Sequence, residues 1–208
     1  MNISHTQLED CRTSPRSWVQ ALAGPRPFYT MGYNQALLHA IHRYHRSSGD
    51  APTSRKYLQQ LIDKNFQNEI RSGDIQDKLE AYIKWHKKSG LIVADSKFRV
   101  KLNLDVLLEL RGEMHRFDML SNGYRAMLIG EYLPNWEQQL RMPLLQRAAA
   151  LRFGRPVNDV SIGVQHFDGS DILVKQYSKA EITKAVADFK KLSSAVQGYA
   201  ENIPGLLE

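Results

Sequence analysis

The chain has 208 residues, 42% hydrophobic and 24% charged, with a net charge of +6 at pH 7. That composition excludes collagen-like, low-complexity and strongly disordered classes, and the absence of any long apolar run excludes a transmembrane helix. Residues 1–100 carry 15 Lys and Arg against 9 Asp and Glu, while residues 101–208 carry 13 of each; the basic half points to an acidic partner, nucleic acid being the commonest, or else to a solvated surface.

Residues 1–14 lack the basic-then-apolar pattern of a secretory signal, so a cytoplasmic location is expected. Ser4 and Gln7 stand at capping-box spacing before a short helix. Cys11, the single cysteine, forms no internal disulfide and holds no zinc or iron–sulfur site alone. Pro15, Gly24, Pro25 and Pro27 predict a loop-rich stretch. Ala36, Leu37, Ile41 and Tyr44 recur near the helical period and predict a helix over 32–46. Tyr57, Leu58, Leu61, Ile62 and Phe66 predict a second over 53–70. A third is predicted over 74–88, with Ile75, Leu79, Tyr82, Ile83 and His86 on one face and Gly90 past its end. Residues 1–90 thus read as a helical lobe.

From 91 the period changes. A strand is predicted at 91–94, a turn at Asp95 and Ser96, and an alternating strand at 98–102. An extended run over 107–119 leads to Ser121, Asn122 and Gly123, a hairpin signal because Asn-Gly accepts positive φ. A strand over 124–133 ends at Pro134, and a helix over 137–153 closes at Gly154. Strands at 160–167 and 172–176 flank a turn at Asp168 and Gly169. Ser178 and Glu181 form a capping box for a last amphipathic helix, with Ile182, Val186, Phe189 and Leu192 on its core face. Residues 91–208 therefore read as a mixed α/β core behind the lobe.

Particular residues sit on this frame. Ser4 to Leu8 precede Cys11, Pro15 and Arg16, a Cys-Pro-Arg-like element; His39 lies on the helix over 32–46; Gly112, Glu113, His115, Arg116 and Asp118 lie on the strand before the hairpin; Gln139 and Leu140 open the crossover helix. In that order and spacing the chain resembles, over nearly its whole length, the RecB-like branch of the PD-(D/E)XK nuclease superfamily. The resemblance implies a restriction-endonuclease-like mixed sheet flanked by helices, DNA as the partner, and a carboxylate-held Mg²⁺ or Mn²⁺. It also implies that His39 is the motif histidine and Gln139 a member of the Gln-Leu pair.

The chain departs from the family at the centre of the chemistry. The acidic slot after Gly112 is His115. The Asp/Glu-x-Lys slots fall on Gly130 and Tyr132, or on Glu131 and Leu133, and neither register supplies a lysine. Ala94 stands where a glutamate often precedes. Mg²⁺ takes oxygen ligands, imidazole suits softer metals, and a leucine or tyrosine cannot supply a cation to the developing charge. On a regular strand Glu113, His115 and Phe117 share one face and Asp118 faces away. Glu113, His115 and Glu131, with His39, form a candidate Mn²⁺ or Zn²⁺ cluster, with Glu137 in reserve; the alternative is a decayed cleft. Of the three histidines spaced by three, His39 is expected to line the cleft, with His42 and His45 near the surface among Arg43 and Arg46.

A binding signal remains. Lys84, Lys87, Lys88, Lys97, Arg99 and Lys101 cluster within 18 positions, opposed by Asp95 alone, with Trp85 among them to stack a base. Arg43 and Arg46, with Arg55 and Lys56, form a second basic group on the lobe. The expectation is a nuclease-fold DNA-binding or DNA-processing accessory protein, phage- or plasmid-associated, that does not cut by the two-acid-plus-lysine route and needs no cofactor. One alternative is an active metal-dependent deoxyribonuclease with relocated ligands, using Mg²⁺ or Mn²⁺. The other is a non-enzymatic protein-binding adaptor. A protein partner in a DNA-processing complex fits the first reading; a membrane partner and an iron–sulfur cluster fit none.

Overall fold

The computed structural model describes residues 1–24, 31–66, 72–130 and 135–204. Six strands form one mixed sheet: β1 (Asn2–Ser4), β2 (Ile92–Asn103), β3 (Glu109–Leu120), β4 (Gly123–Gly130), β5 (Val160–His166) and β6 (Leu173–Lys175). β3 is the hub. β2 runs antiparallel along one edge of it, from Ile92 opposite Met119 to Asn103 opposite Glu109. The other edge is shared. β1 pairs parallel at Glu109 to Arg111, and β4 pairs antiparallel at Arg116 to Leu120. β5 then adds parallel to β4, and β6 antiparallel to β5.

Seven helices accompany the sheet among the described residues: α1 (Leu8–Thr13), α2 (Pro15–Ala23), α3 (Tyr33–Arg46), α4 (Ala51–Asn65), α5 (Ser72–Ser89), α6 (Arg141–Arg152) and α7 (Lys179–Ala200). α1, α2, α6 and α7 cover one sheet face, and α3, α4 and α5 gather on the other. Strand alternation feeds both layers: Leu128 joins the first hydrophobic cluster and its neighbour Ile129 the second. The fold is thus mixed α/β, a six-stranded mixed sheet flanked by helices. Among the described residues no helix is long and apolar enough to cross a membrane.

Local sequence explains most elements. In α7 both capping-box bonds form: Ser178 Oγ accepts from Glu181 N–H, and the Glu181 carboxylate accepts from Ser178 N–H at 2.7 Å. Ile182, Ala185, Phe189, Leu192 and Val196 then bury at helical spacing. The β3–β4 hairpin turns at Ser121 and Asn122, with the positive φ carried by Gly123 at 146°. A Cβ there would lie 2.6 Å from the Asp159 carbonyl oxygen, so only glycine fits.

Several expectations are corrected. Pro15 does not begin a loop; it occupies the first turn of α2, where its missing N–H has no intrahelical partner to lose. Asp95 and Ser96 are not a turn. β2 runs through them, with a bulge between Val93 and Asp95. The crossover helix is two pieces, a short 3₁₀ turn at Trp136–Gln138 and then α6. Residues 1–23 pack with the sheet rather than with the lobe. Ile3, Leu8, Cys11, Trp18 and Val19 all belong to the α6–α7 cluster.

Candidate functional site

The β2–β3 ladder is irregular at one point. Ser96 pairs with Arg116 and Phe98 with Met114, but the intervening Lys97 has φ 60°. That left-handed residue reverses the strand's alternation. Ser96 turns toward α3, where its Oγ meets His42 Nδ1 at 2.8 Å, while Phe98 enters the α6 side. β3 switches at the same level. Met114 faces the α6 side, yet Arg116 is buried beneath the lobe. Phe117 consequently lies among the α6-side aromatics, stacked on Phe153 with centroids 3.9 Å apart. The expectation that Glu113, His115 and Phe117 share a face fails here, because an irregularity shifts a period of two by one.

The same level is a fork. β3–β4 pairing stops at Arg116 opposite Met127, and the Ile129 N–H is instead taken by His115 Nδ1 at 2.7 Å. On the far side β1 holds the edge, and the His5 N–H continues its ladder to the Arg111 carbonyl at 2.8 Å. The His5 ring lies against Gly112, where a Cβ would approach its Cδ2 to 2.5 Å. Burial first, and the charge of His5 second, push His115 down to about 3. Burial, then Arg141, pushes His5 down to about 4. Both rings are neutral at pH 7. Because His115 Nδ1 accepts from Ile129, the ring proton sits on Nε2, and the imidazole has no lone pair left for a metal.

The other expected ligands are dispersed or engaged. Asp118 is fully buried, its carboxylate held by Arg116 Nε at 2.6 Å and Arg125 Nε at 2.9 Å. Glu137 lies beside Lys175 at 4.0 Å. Gln139 Oε1 accepts from Arg141 Nε at 2.7 Å, which places it by the His5 side of the fork. Glu113 acts electrostatically on His39, behind the larger effects of burial and of Lys97, which together lower the His39 pKa. Glu131 lies outside the described residues. Among the described residues no three His, Cys, Asp or Glu side chains converge to hold a metal ion.

What does converge is positive charge. His39, His42, Arg43 and Arg46 form one stripe of α3, and with Tyr57 of α4 and Lys97 of β2 they line a cavity of about 140 Å³. Lys97 Nζ lies 3.4 Å from His39 Nε2 and donates to it. His42 is not a surface residue; it is 2% exposed. The gap above Ser96 receives its ring, and its Nε2 is buried without a hydrogen-bond partner among the described residues. Burial, then His115, pushes it down to about 2. His45 is likewise drawn inward, with Nε2 at 2.8 Å from the Tyr82 hydroxyl.

The remaining basic residues separate. Arg99 and Lys101 are exposed on β2, opposite in face to Phe98, Val100 and Leu102, and Lys101 pairs with Glu109 at 2.6 Å. Lys84, Lys87 and Lys88 are exposed near the end of α5. Trp85 is occupied. Its ring lies beneath the Arg116 guanidinium at 5.0 Å, and a Cβ on Gly169 would approach Trp85 Cβ to 2.6 Å. Sequence reading missed His5, Tyr57 and the Arg116–Asp118 pair. For the last, an opposite-charge i,i+2 pair inside an apolar strand was the available signal.

No protein-family model and no curated protein matches the chain. Among solved structures, one described as "Crystal structure of SSO0001" aligns over 90% of this chain and 85% of that chain, at 11% identity and a TM-score of 0.35. A likeness so slight carries no argument.

Proposed function

We propose that this chain is a DNA-binding protein of PD-(D/E)XK fold, an accessory to DNA processing that does not cut by the two-acid-plus-lysine route. The element order supports the fold reading: an antiparallel β2–β3–β4 unit, the α6 crossover, then parallel β5. The observation that carries the binding reading is the meeting of Arg43, Arg46 and Lys97 with two histidines in one cavity. Guanidinium groups bind phosphate oxygens in bidentate fashion, and three cations gathered without a lining carboxylate among the described residues suit an anionic backbone. Arg99 adds a further exposed cation on β2. Against conventional chemistry stand the capped lone pair of His115 and the double guanidinium embrace of Asp118.

Binding to single- and double-stranded DNA across a salt series tests this. Affinity should fall steeply with salt, and Arg43→Ala with Arg46→Ala should reduce the log–log slope by roughly 1.5 to 2. No binding at low salt would leave the protein-adaptor reading.

One observation favours the metal-dependent nuclease as a second reading. Lys97 brings an ammonium to His39, close enough to Glu113 for both charges to act on the same imidazole. Cleavage assays with Mg²⁺ and Mn²⁺ decide. Cutting abolished by Glu131→Ala or Lys97→Met would replace the non-cutting reading.

A further inference from the structure

The α3 cavity is small and heavily charged, and those two properties select among anions. At about 140 Å³ it is well below the ~300 Å³ at which pockets begin to enclose whole small molecules, yet several times the ~30 Å³ share of one water. That space holds a single tetrahedral oxyanion. Three formal cations, Arg43, Arg46 and Lys97, line it, and among the described residues no carboxylate does. An internal phosphodiester brings one negative charge. A phosphomonoester brings roughly 1.5 to 2 at pH 7, and three free oxygens.

Two features show that the site is built rather than incidental. Lys97 is fixed from two directions: its backbone occupies the left-handed region at φ 60°, and its Nζ is held at His39 Nε2. His42, buried beside it, keeps Nε2 unpartnered while Nδ1 is engaged by Ser96. Tyr57 of α4 completes the lining. Glu113 couples to His39 but is not part of the lining, so it biases the histidine without filling the cavity.

We propose that this cavity receives the terminal phosphate of a nucleic-acid strand, a phosphomonoester, and so reads strand ends rather than strand interiors. The proposal rests on the nucleic-acid reading above and adds to it an end preference. β2, with Arg99 exposed, would carry the adjoining backbone away from the cavity.

The test is fluorescence anisotropy with one oligonucleotide sequence in three forms: 5′-phosphate, 3′-phosphate, and hydroxyl at both ends. At least one phosphorylated form should bind about tenfold or more tightly than the hydroxyl form, the gain expected of one or two charge-assisted hydrogen bonds. Arg46→Gln and Lys97→Met should each erase that preference, and millimolar inorganic phosphate should weaken the phosphorylated form more than the hydroxyl form, bringing the two together. Arg43 and Arg46 are exposed, so their replacement does not threaten folding. Equal binding of the three forms overturns the end preference and leaves the DNA-binding reading standing. Failure of all three to bind at low salt overturns both. A fourth arm, titration of inorganic phosphate alone while following histidine ring resonances, separates sources. Saturation by free phosphate together with no oligonucleotide binding overturns the strand-end assignment in favour of a free-anion site.

Discussion

His115 Nδ1 accepts the backbone N–H of Ile129 across 2.7 Å, standing in for the β3 carbonyl that a continued ladder would have offered. A side chain thereby props open the fork between two strands. Removing it leaves a partly buried N–H unpaired. His115→Ala should therefore lower unfolding free energy by about 1–3 kcal/mol in urea denaturation. His115→Asn keeps an acceptor at the δ position and should recover much of that loss. Equal destabilisation by both would mean that ring packing, not the Ile129 bond, matters there.

Acid should unfold this protein through its histidines. In the unfolded chain each imidazole takes a proton near pH 6.5, whereas in the fold His5 resists to about 4, His115 to about 3 and His42 to about 2. Burial is the first cause in each. Between those limits the unfolded state binds more protons, so stability rises with pH and is lost as pH falls from about 6.5 toward 3. Each such histidine contributes roughly 1.4 kcal/mol per pH unit across its window. Urea midpoints measured between pH 7 and 4.5 should fall continuously, and His5→Gln or His42→Gln should flatten the profile even where it lowers the plateau. A midpoint constant over that range would show that these rings are already charged in the fold.

Elements whose signals are local were legible in sequence. α3 and α7 declare themselves by spacing, and α7 adds a capping box that forms as written. The β3–β4 hairpin and the α6 crossover likewise follow from turn residues and period. β1 was not legible, because three residues carry too little pattern and its pairing with β3 spans over 100 residues of chain. Nor was the reversal at Lys97, since lysine is not a residue that announces positive φ. β3 changes face at the same level, between Met114 and Arg116, so the face assignments of Arg116, Phe117 and Asp118 were out of reach. The basic groups were visible as charge, but the convergence of Arg43, Arg46 and Lys97 depends on α3 packing across β2, which the sequence pattern does not state.

Asp118 should be among the most sensitive positions in the chain. It and Arg116 are both fully buried; Arg116 also donates to the Tyr82 hydroxyl and to Gln165 Oε1, each at 2.7 Å. Truncating the carboxylate strands a guanidinium in the interior, so Asp118→Ala should cost about 3–5 kcal/mol. Replacing both members, Arg116→Met with Asp118→Leu, removes the stranded charge and should cost less than Asp118→Ala alone. Chemical denaturation of the two variants gives the comparison. A double variant as unstable as the sum of the singles would mean that the pair acts through its neighbours Tyr82, Gln165 and Arg125 instead.

Trp85 separates stability from binding. Its ring is held between Arg116 and the backbone at Gly169, where φ is 88° and a side chain would collide with the indole. That position welds α5 to the β5–β6 turn, an arrangement in which the ring has a packing role and its face is taken by a guanidinium. Trp85→Ala should thus lower stability by about 2–4 kcal/mol, the lower part of the range for large aromatic truncations because the residue is only half-buried. DNA affinity of the folded fraction, measured well below the melting temperature, should stay within about twofold, since stacking a base on this ring would require releasing Arg116. Lys97→Met should show the reverse pattern, a loss of affinity with the larger part of stability retained. If Trp85→Ala instead weakened binding by tenfold while the fold held, the indole would be part of the interface and the basic end of α5, with Lys84, Lys87 and Lys88, would become the principal contact surface.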